Sequence, residues 1–132
     1  MKSKILFIYK DDTGKDNFKK AIASSYNVCL ASSVQEVFSR KRPFHPLSVI
    51  FQMQKPDAET LQDLAMLKAQ LNPSTSIIAI ALENSREMEK NLRRIGIFYY
   101  LIEPYEFQDL RELVKAAVHF SKSHSETCQR SF

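Results

Sequence analysis

Residues 47–57 read LSVIFQMQKPD. From Leu47 to Met53 the side chains are apolar almost throughout, without the polar–apolar alternation of a strand that keeps one face in water. A run of strand length with this character belongs inside a parallel sheet, covered on both faces. It stops at the turn residues Lys55, Pro56 and Asp57, and Asp57 is placed to cap a helix.

Working outward, the same alternation repeats in both directions. After the turn, Ala58, Leu61, Leu64, Ala65 and Leu71 fall on one helical stripe that ends before Pro73, and Thr75 to Leu82 (TSIIAIAL) is the next buried strand. A charged helix over Ser85 to Ile95 follows, with Gly96 as its C-terminal cap, and then Ile97 to Ile102 (IFYYLI) as a strand. Phe107, Leu110, Leu113, Val114, Ala117 and Val118 recur at helical spacing to about Ser121, beyond which the polar KSHSETCQRSF is expected to fray. On the other side, Lys4 to Tyr9 (KILFIY) reads as a strand ending at DDTG, and Phe18, Ala21 and Ile22 predict a helix over 15–25. Tyr26 to Ala31 (YNVCLA) is a strand, and Ser33 caps a helix bearing Val34, Val37 and Phe38 that RKRPFHP stops.

Strands alternating with helices in this way imply an α/β three-layer sandwich, a five-stranded parallel sheet with five helices, because parallel crossovers need helices and uniformly apolar strands need cover on both faces. The 132 residues leave room for one core, assigned to residues 1–121, with 122–132 as a polar C-terminal tail. In such a sheet the functional crevice lies outside the carboxyl ends of the strands, at Tyr9 to Thr13, Gln52 to Pro56, Ala81 to Asn84 and Glu103 to Tyr105.

Composition narrows the function. With 44% hydrophobic and 26% charged residues the chain resembles an ordinary globular domain. Only two glycines, Gly14 and Gly96, are present, too few for Walker-type or dinucleotide-binding loops. No apolar run of about 18 residues suggests a membrane span, and the charged start argues against a secretory signal, so a cytoplasmic location is expected. Cys29 and Cys128 form neither a disulfide framework nor a metal cluster, and His45, His119 and His124 have no ligand partners at metal spacing. The net charge of +4 is spread over Lys15, Lys19, Lys20, Arg40 to Arg42, Arg93 and Arg94, which does not make a nucleic-acid surface.

Gly96 to Tyr105, G-I-F-Y-Y-L-I-E-P-Y, is similar to the G-A-D-D-Y-L-x-K-P-F signature of receiver domains in two-component response regulators, and LSVIFQMQKPD resembles that family's strand, phospho-accepting aspartate and proline. The resemblance spans about Lys4 to Phe120 and implies flavodoxin-like receiver topology. In that family an aspartate accepts phosphate, acidic residues hold magnesium, and a hydroxyl and a lysine contact the phosphoryl oxygens. Carried onto this sequence, the acceptor position is Gln52 and the acidic pair falls on Tyr9 and Lys10, with Asp11 next. Ala81 takes the hydroxyl position and Glu103 the lysine position before Pro104.

The resemblance therefore implies a degenerate phosphoacceptor pocket, with no catalytic residue, no metal and no cofactor. Lys10 stands where the family has an acid and Glu103 where it has lysine, so an ion pair beside Gln52 is expected if the two heads lie within about 4 Å. Tyr100 matches the family's switch aromatic, but Ala81 offers it no hydroxyl partner. A fixed interaction surface follows, carried by Arg93, Arg94, Tyr99, Tyr100 and Tyr105, for a protein signalling partner or a homodimer through the fourth helix, fifth strand and fifth helix. No direct contact with nucleic acid or membrane is expected. The competing class is a receiver in a phosphorelay regulated by a small ligand or by modification elsewhere. Asp11, Thr13 and Gly14 also resemble the D-x-T-G of haloacid-dehalogenase-type phosphotransferases, without their second acidic motif, and Thr13-Gly14 a flavodoxin phosphate loop, where Asp12 and Asp16 would repel the phosphate of FMN.

Overall fold

Parallel pairing sets the arrangement. In the computed structural model, which describes residues 2–22, 24–40, 45–53, 57–83 and 85–130, with side chains through 123, β1 (Lys4–Ile8) pairs with β2 (Asn27–Ala31) on one side and β3 (Ser48–Gln52) on the other. Beyond β3 lie β4 (Ser76–Ala81) and β5 (Tyr99–Ile102), giving the all-parallel order β2-β1-β3-β4-β5. The expected strands are all present, each shortened at one end or both.

Five helices cover the sheet: α1 (Asp12–Ile22), α2 (Val34–Ser39), α3 (Ala58–Gln70), α4 (Arg86–Ile95) and α5 (Phe107–Arg130). Strand side chains alternate between two apolar layers. Leu6, Ile8, Val49, Phe51, Ile77 and Ala79 meet Val34, Leu64, Leu67, Met88 and Leu92 from α2, α3 and α4. Ile5, Phe7, Ile50, Ile78 and Ile80 meet Phe18, Ile22, Leu110, Val114 and Ala117 from α1 and α5. Both faces are thus buried, which is why the strands carry no polar alternation.

The caps read at Ser33, Asp57 and Gly96 form as expected, and Ser85, read as the first residue of its helix, is a cap as well. Ser33, Asp57 and Ser85 accept from the backbone N–H groups of Glu36, Thr60 and Met88 at 3.0, 2.9 and 3.2 Å. Gly96 ends α4 with φ of 97°, the left-handed region that a β-carbon disfavours.

Two helices differ from the sequence reading, the first of them running Asp12–Ile22. The first helix, expected over 15–25, begins at Asp12 because the Asp11 carboxylate accepts the Gly14 N–H at 2.7 Å and its carbonyl accepts from Lys15. The segment from 122, expected to fray, continues α5 to Arg130. Ser121 is fully buried before that extension: its hydroxyl accepts the Ser76 N–H at 3.1 Å and donates to the Ala117 carbonyl at 2.9 Å.

Candidate functional site

The carboxyl ends of β1, β3, β4 and β5 meet at one edge of the sheet, and Gln52, the last residue of β3, sits between them. Its side chain is only 5% exposed. Burying an amide there is costly unless both its polar ends are satisfied, and both are. Oε1 accepts the Lys10 backbone N–H at 2.9 Å, and Nε2 donates to Glu103 Oε1 at 2.7 Å.

The other Glu103 oxygen lies 3.6 Å from Lys10 Nζ, with both side chains 18% exposed. The exchange of charges expected from the sequence is therefore realised as an ion pair, and Gln52, Lys10 and Glu103 close into one ring of contacts. The loop after β1 and the loop after β5 are joined across the end of β3. Glu103 is held from behind as well: its N–H donates to the Ala81 carbonyl at 2.7 Å, and a cis bond links it to Pro104.

Gly14 completes the enclosure. It is buried in the first turn of α1, where a β-carbon would overlap the Gln52 side-chain amide. That helix start is placed by the Asp11 cap, so Asp11 is committed to the backbone rather than to Gln52. Nothing in the order of residues links Gly14 to Gln52, since the pair is brought together by the β1–β3 pairing.

The chemistry open to these residues follows from their atoms. Magnesium needs several free oxygen ligands. Here the Gln52 oxygen holds the Lys10 N–H, one Asp11 oxygen holds the Gly14 N–H, and Glu103 faces an amide and an ammonium. This donor set suits a permanent hydrogen-bonded ion pair and does not fit a hard divalent cation. Among the described residues, no group of three or more His, Cys, Asp or Glu side chains could hold a metal ion.

The remaining positions fall in two places. Ala81 is buried within the layer facing α3 and α4, and Tyr9 is half-buried against the opposite layer, 5.3 Å under Lys15 Nζ. Arg93, Tyr99 and Tyr100 line one surface cavity of about 240 Å³ together with Glu89, to which Arg93 donates at 2.8 Å. Tyr99 is 52% exposed. Arg94 is exposed on the same helix.

Tyr105 does not join them. It packs against the layer facing α1 and α5, and lines a separate groove with Asp11, Gln52, Glu103 and Phe107. Burial, and then the Glu103 carboxylate, push its phenol above the usual range. Tyr100 is also raised, first by burial.

Sequence reasoning missed one partner. With alanine at 81, Tyr100 donates its hydroxyl to the Glu83 carbonyl at 2.7 Å. A backbone acceptor leaves no trace in residue type, so only the fold reveals it.

Solved structures share this architecture. A CheY-like response regulator receiver domain protein from Methanospirillum hungatei matches with a TM-score of 0.80 and 20% identity, over 94% of this chain and 99% of that one. A response regulator from Thermotoga maritima gives 0.79 at 18% identity, over 90% and 99%. A chain described as an adenylate cyclase from Rhodopirellula baltica gives 0.84 at 14% identity, over 98% and 96%. No protein-family model and no curated protein matches the sequence. The fold is that of CheY-like receiver domains.

Proposed function

We propose that this receiver fold is a degenerate one, a cytoplasmic signalling module that works through contact with a protein partner and without phosphorylation or catalysis of its own. The observation that carries the reading is the ring at Gln52. Its amide spans the Lys10 N–H and the Glu103 carboxylate while Lys10 and Glu103 pair beside it. An amide is not a nucleophile, and the ammonium of Lys10 supplies the positive charge that a metal would otherwise bring.

With that ring closed and Tyr100 tied to the Glu83 carbonyl, the face formed by α4 and β5 has one arrangement to offer. Arg93, Arg94 and Tyr99 present charge and aromatic surface there, a composition suited to a protein interface or to a homodimer. Among the described residues no helix is long and apolar enough to cross a membrane.

The test is incubation with a small-molecule phosphodonor and magnesium, read by intact mass. No added phosphate is expected, whereas a stable phosphoryl adduct on any residue of the carboxyl edge would overturn the reading. Arg94→Glu with Tyr99→Ala is expected to abolish any self-association seen by sedimentation and to leave the fold intact.

A further inference from the structure

Because every strand pairs in parallel, every helix runs back against the sheet, and the five helix N-termini gather at the Gln52 end. The side chains follow the helix dipoles. Asp12, Glu36, Glu59, Glu87, Glu89 and Asp109 lie in first turns, while Lys19, Lys20, Lys68, Arg93 and Arg94 lie in last turns. The modest net charge thus conceals a basic end of the molecule, opposite the closed ring.

At that basic end a cavity of about 450 Å³ opens between the C-termini of α2 and α3, within the size range of small-molecule sites. Its floor is apolar: Leu6, Val37, Leu67 and Leu71. Its rim carries Arg40 and His45, and no Asp or Glu is among its described lining residues. Strand alternation puts Lys4, exposed at the start of β1, on the same face of the strand as the lining residue Leu6. Phe38 is 41% exposed along this wall.

Arg40 is well anchored. Its guanidinium donates to Cys29 Sγ at 2.5 Å and to the Leu30 carbonyl, and lies 3.5 Å from Glu36. A side chain pinned this way loses little freedom when it meets a ligand. The charge there is partly offset by Glu36, and Lys4, on the same strand face as Leu6, is called on as a second cation.

We infer that this cavity is a binding site for a small amphipathic organic anion, a carboxylate with an aliphatic body. The body lies on Leu6, Val37, Leu67 and Leu71, and the carboxylate faces Arg40, His45 and Lys4. The inference is independent of the state of Gln52, since the two sites occupy opposite ends of the strands.

Decanoate is the probe, with decyltrimethylammonium and decanol as controls, titrated into the full chain and followed by calorimetry and amide NMR. Decanoate is expected to bind saturably and about 10-fold more tightly than either control, with shifts centred on Leu71, Asn72 and Thr75. Lys4→Gln, a substitution at an exposed position, is expected to weaken decanoate several-fold and leave decanol unchanged. Gln70→Trp, which fills the mouth, is expected to weaken both. Arg40→Gln should act like Lys4→Gln but more strongly, and if it fails to fold the other two variants decide. Equal affinity for the anion and the cation, shifts centred on Leu82 and Phe107 at the other end, or no saturable binding would each overturn the inference.

Discussion

The two ends of the sheet have been finished in opposite ways. At the carboxyl end, Gln52, Lys10, Glu103 and Gly14 close on one another, so the edge where this architecture can host chemistry is filled by the chain's own side chains. At the amino end, the helix C-termini stand apart around an apolar floor with a cationic rim. One end satisfies its polar groups internally beside a groove of about 320 Å³, and the other opens a larger cavity over apolar side chains. The difference shows that a shared backbone plan places crevices at both ends but leaves their chemistry to the side chains.

The comparison breaks most readily at Gly14. Alanine there must displace the Gln52 amide and lose at least one of its hydrogen bonds, so Gly14→Ala is expected to destabilise by about 1–3 kcal/mol in urea denaturation. In a Gln52→Ala background the same change is expected to be neutral or mildly stabilising, because alanine favours the helix by about 1 kcal/mol over glycine. A loss of the same size in both backgrounds would mean that Gln52 is not the cause.

The ion pair is next in size. A double-mutant cycle with Lys10→Met and Glu103→Gln is expected to show coupling of about 1 kcal/mol, shrinking as salt rises, since both groups are partly open to water. No coupling would leave Gln52 as the only link across the edge. Tyr100→Phe is expected to cost about 0.5–1.5 kcal/mol through loss of the bond to Glu83.

The smallest effect is alkaline. The folded-state pKa of Tyr105 is raised above its unfolded value, so the proton is held more tightly in the folded chain. Its contribution is full below about pH 10 and is lost as pH climbs through the raised value. Tyr105→Phe is expected to flatten the fall in urea stability over that range, and an unchanged profile would remove Tyr105 as its source.

Much of the closed end could be read before any coordinates. The apolar runs at Lys4 to Tyr9, Leu47 to Met53 and Thr75 to Leu82 announce buried parallel strands, and their spacing to Gln52 and Glu103 puts the two residues at one edge. The charge exchange at Lys10 and Glu103 is what the resemblance to receiver domains implies for those positions. What stayed hidden depends on contacts between distant segments or on backbone atoms. The Gly14–Gln52 packing needs the β1–β3 pairing, and the Tyr100 partner is a carbonyl.

The start of α1 was placed too late because Asp11 and Asp12 read as turn residues until the Gly14 N–H is seen on the Asp11 carboxylate. Tyr105 is grouped with Tyr99 and Tyr100 in the sequence reading, yet it packs into the layer facing α1 and α5 while Tyr100 packs into the opposite layer. The cavity at the amino end was also invisible, since its lining comes from β1, α2, α3 and the segments before β3 and β4.

The most direct test of the closed edge is the amide NMR spectrum of the chain, including the Gln52 side-chain NH₂, recorded before and after addition of magnesium and acetyl phosphate. The Lys10, Gly14 and Gln52 signals are expected to stay where they are. Saturable movement of those signals would show that the edge opens to a metal or a phosphoryl group, and would contradict the account.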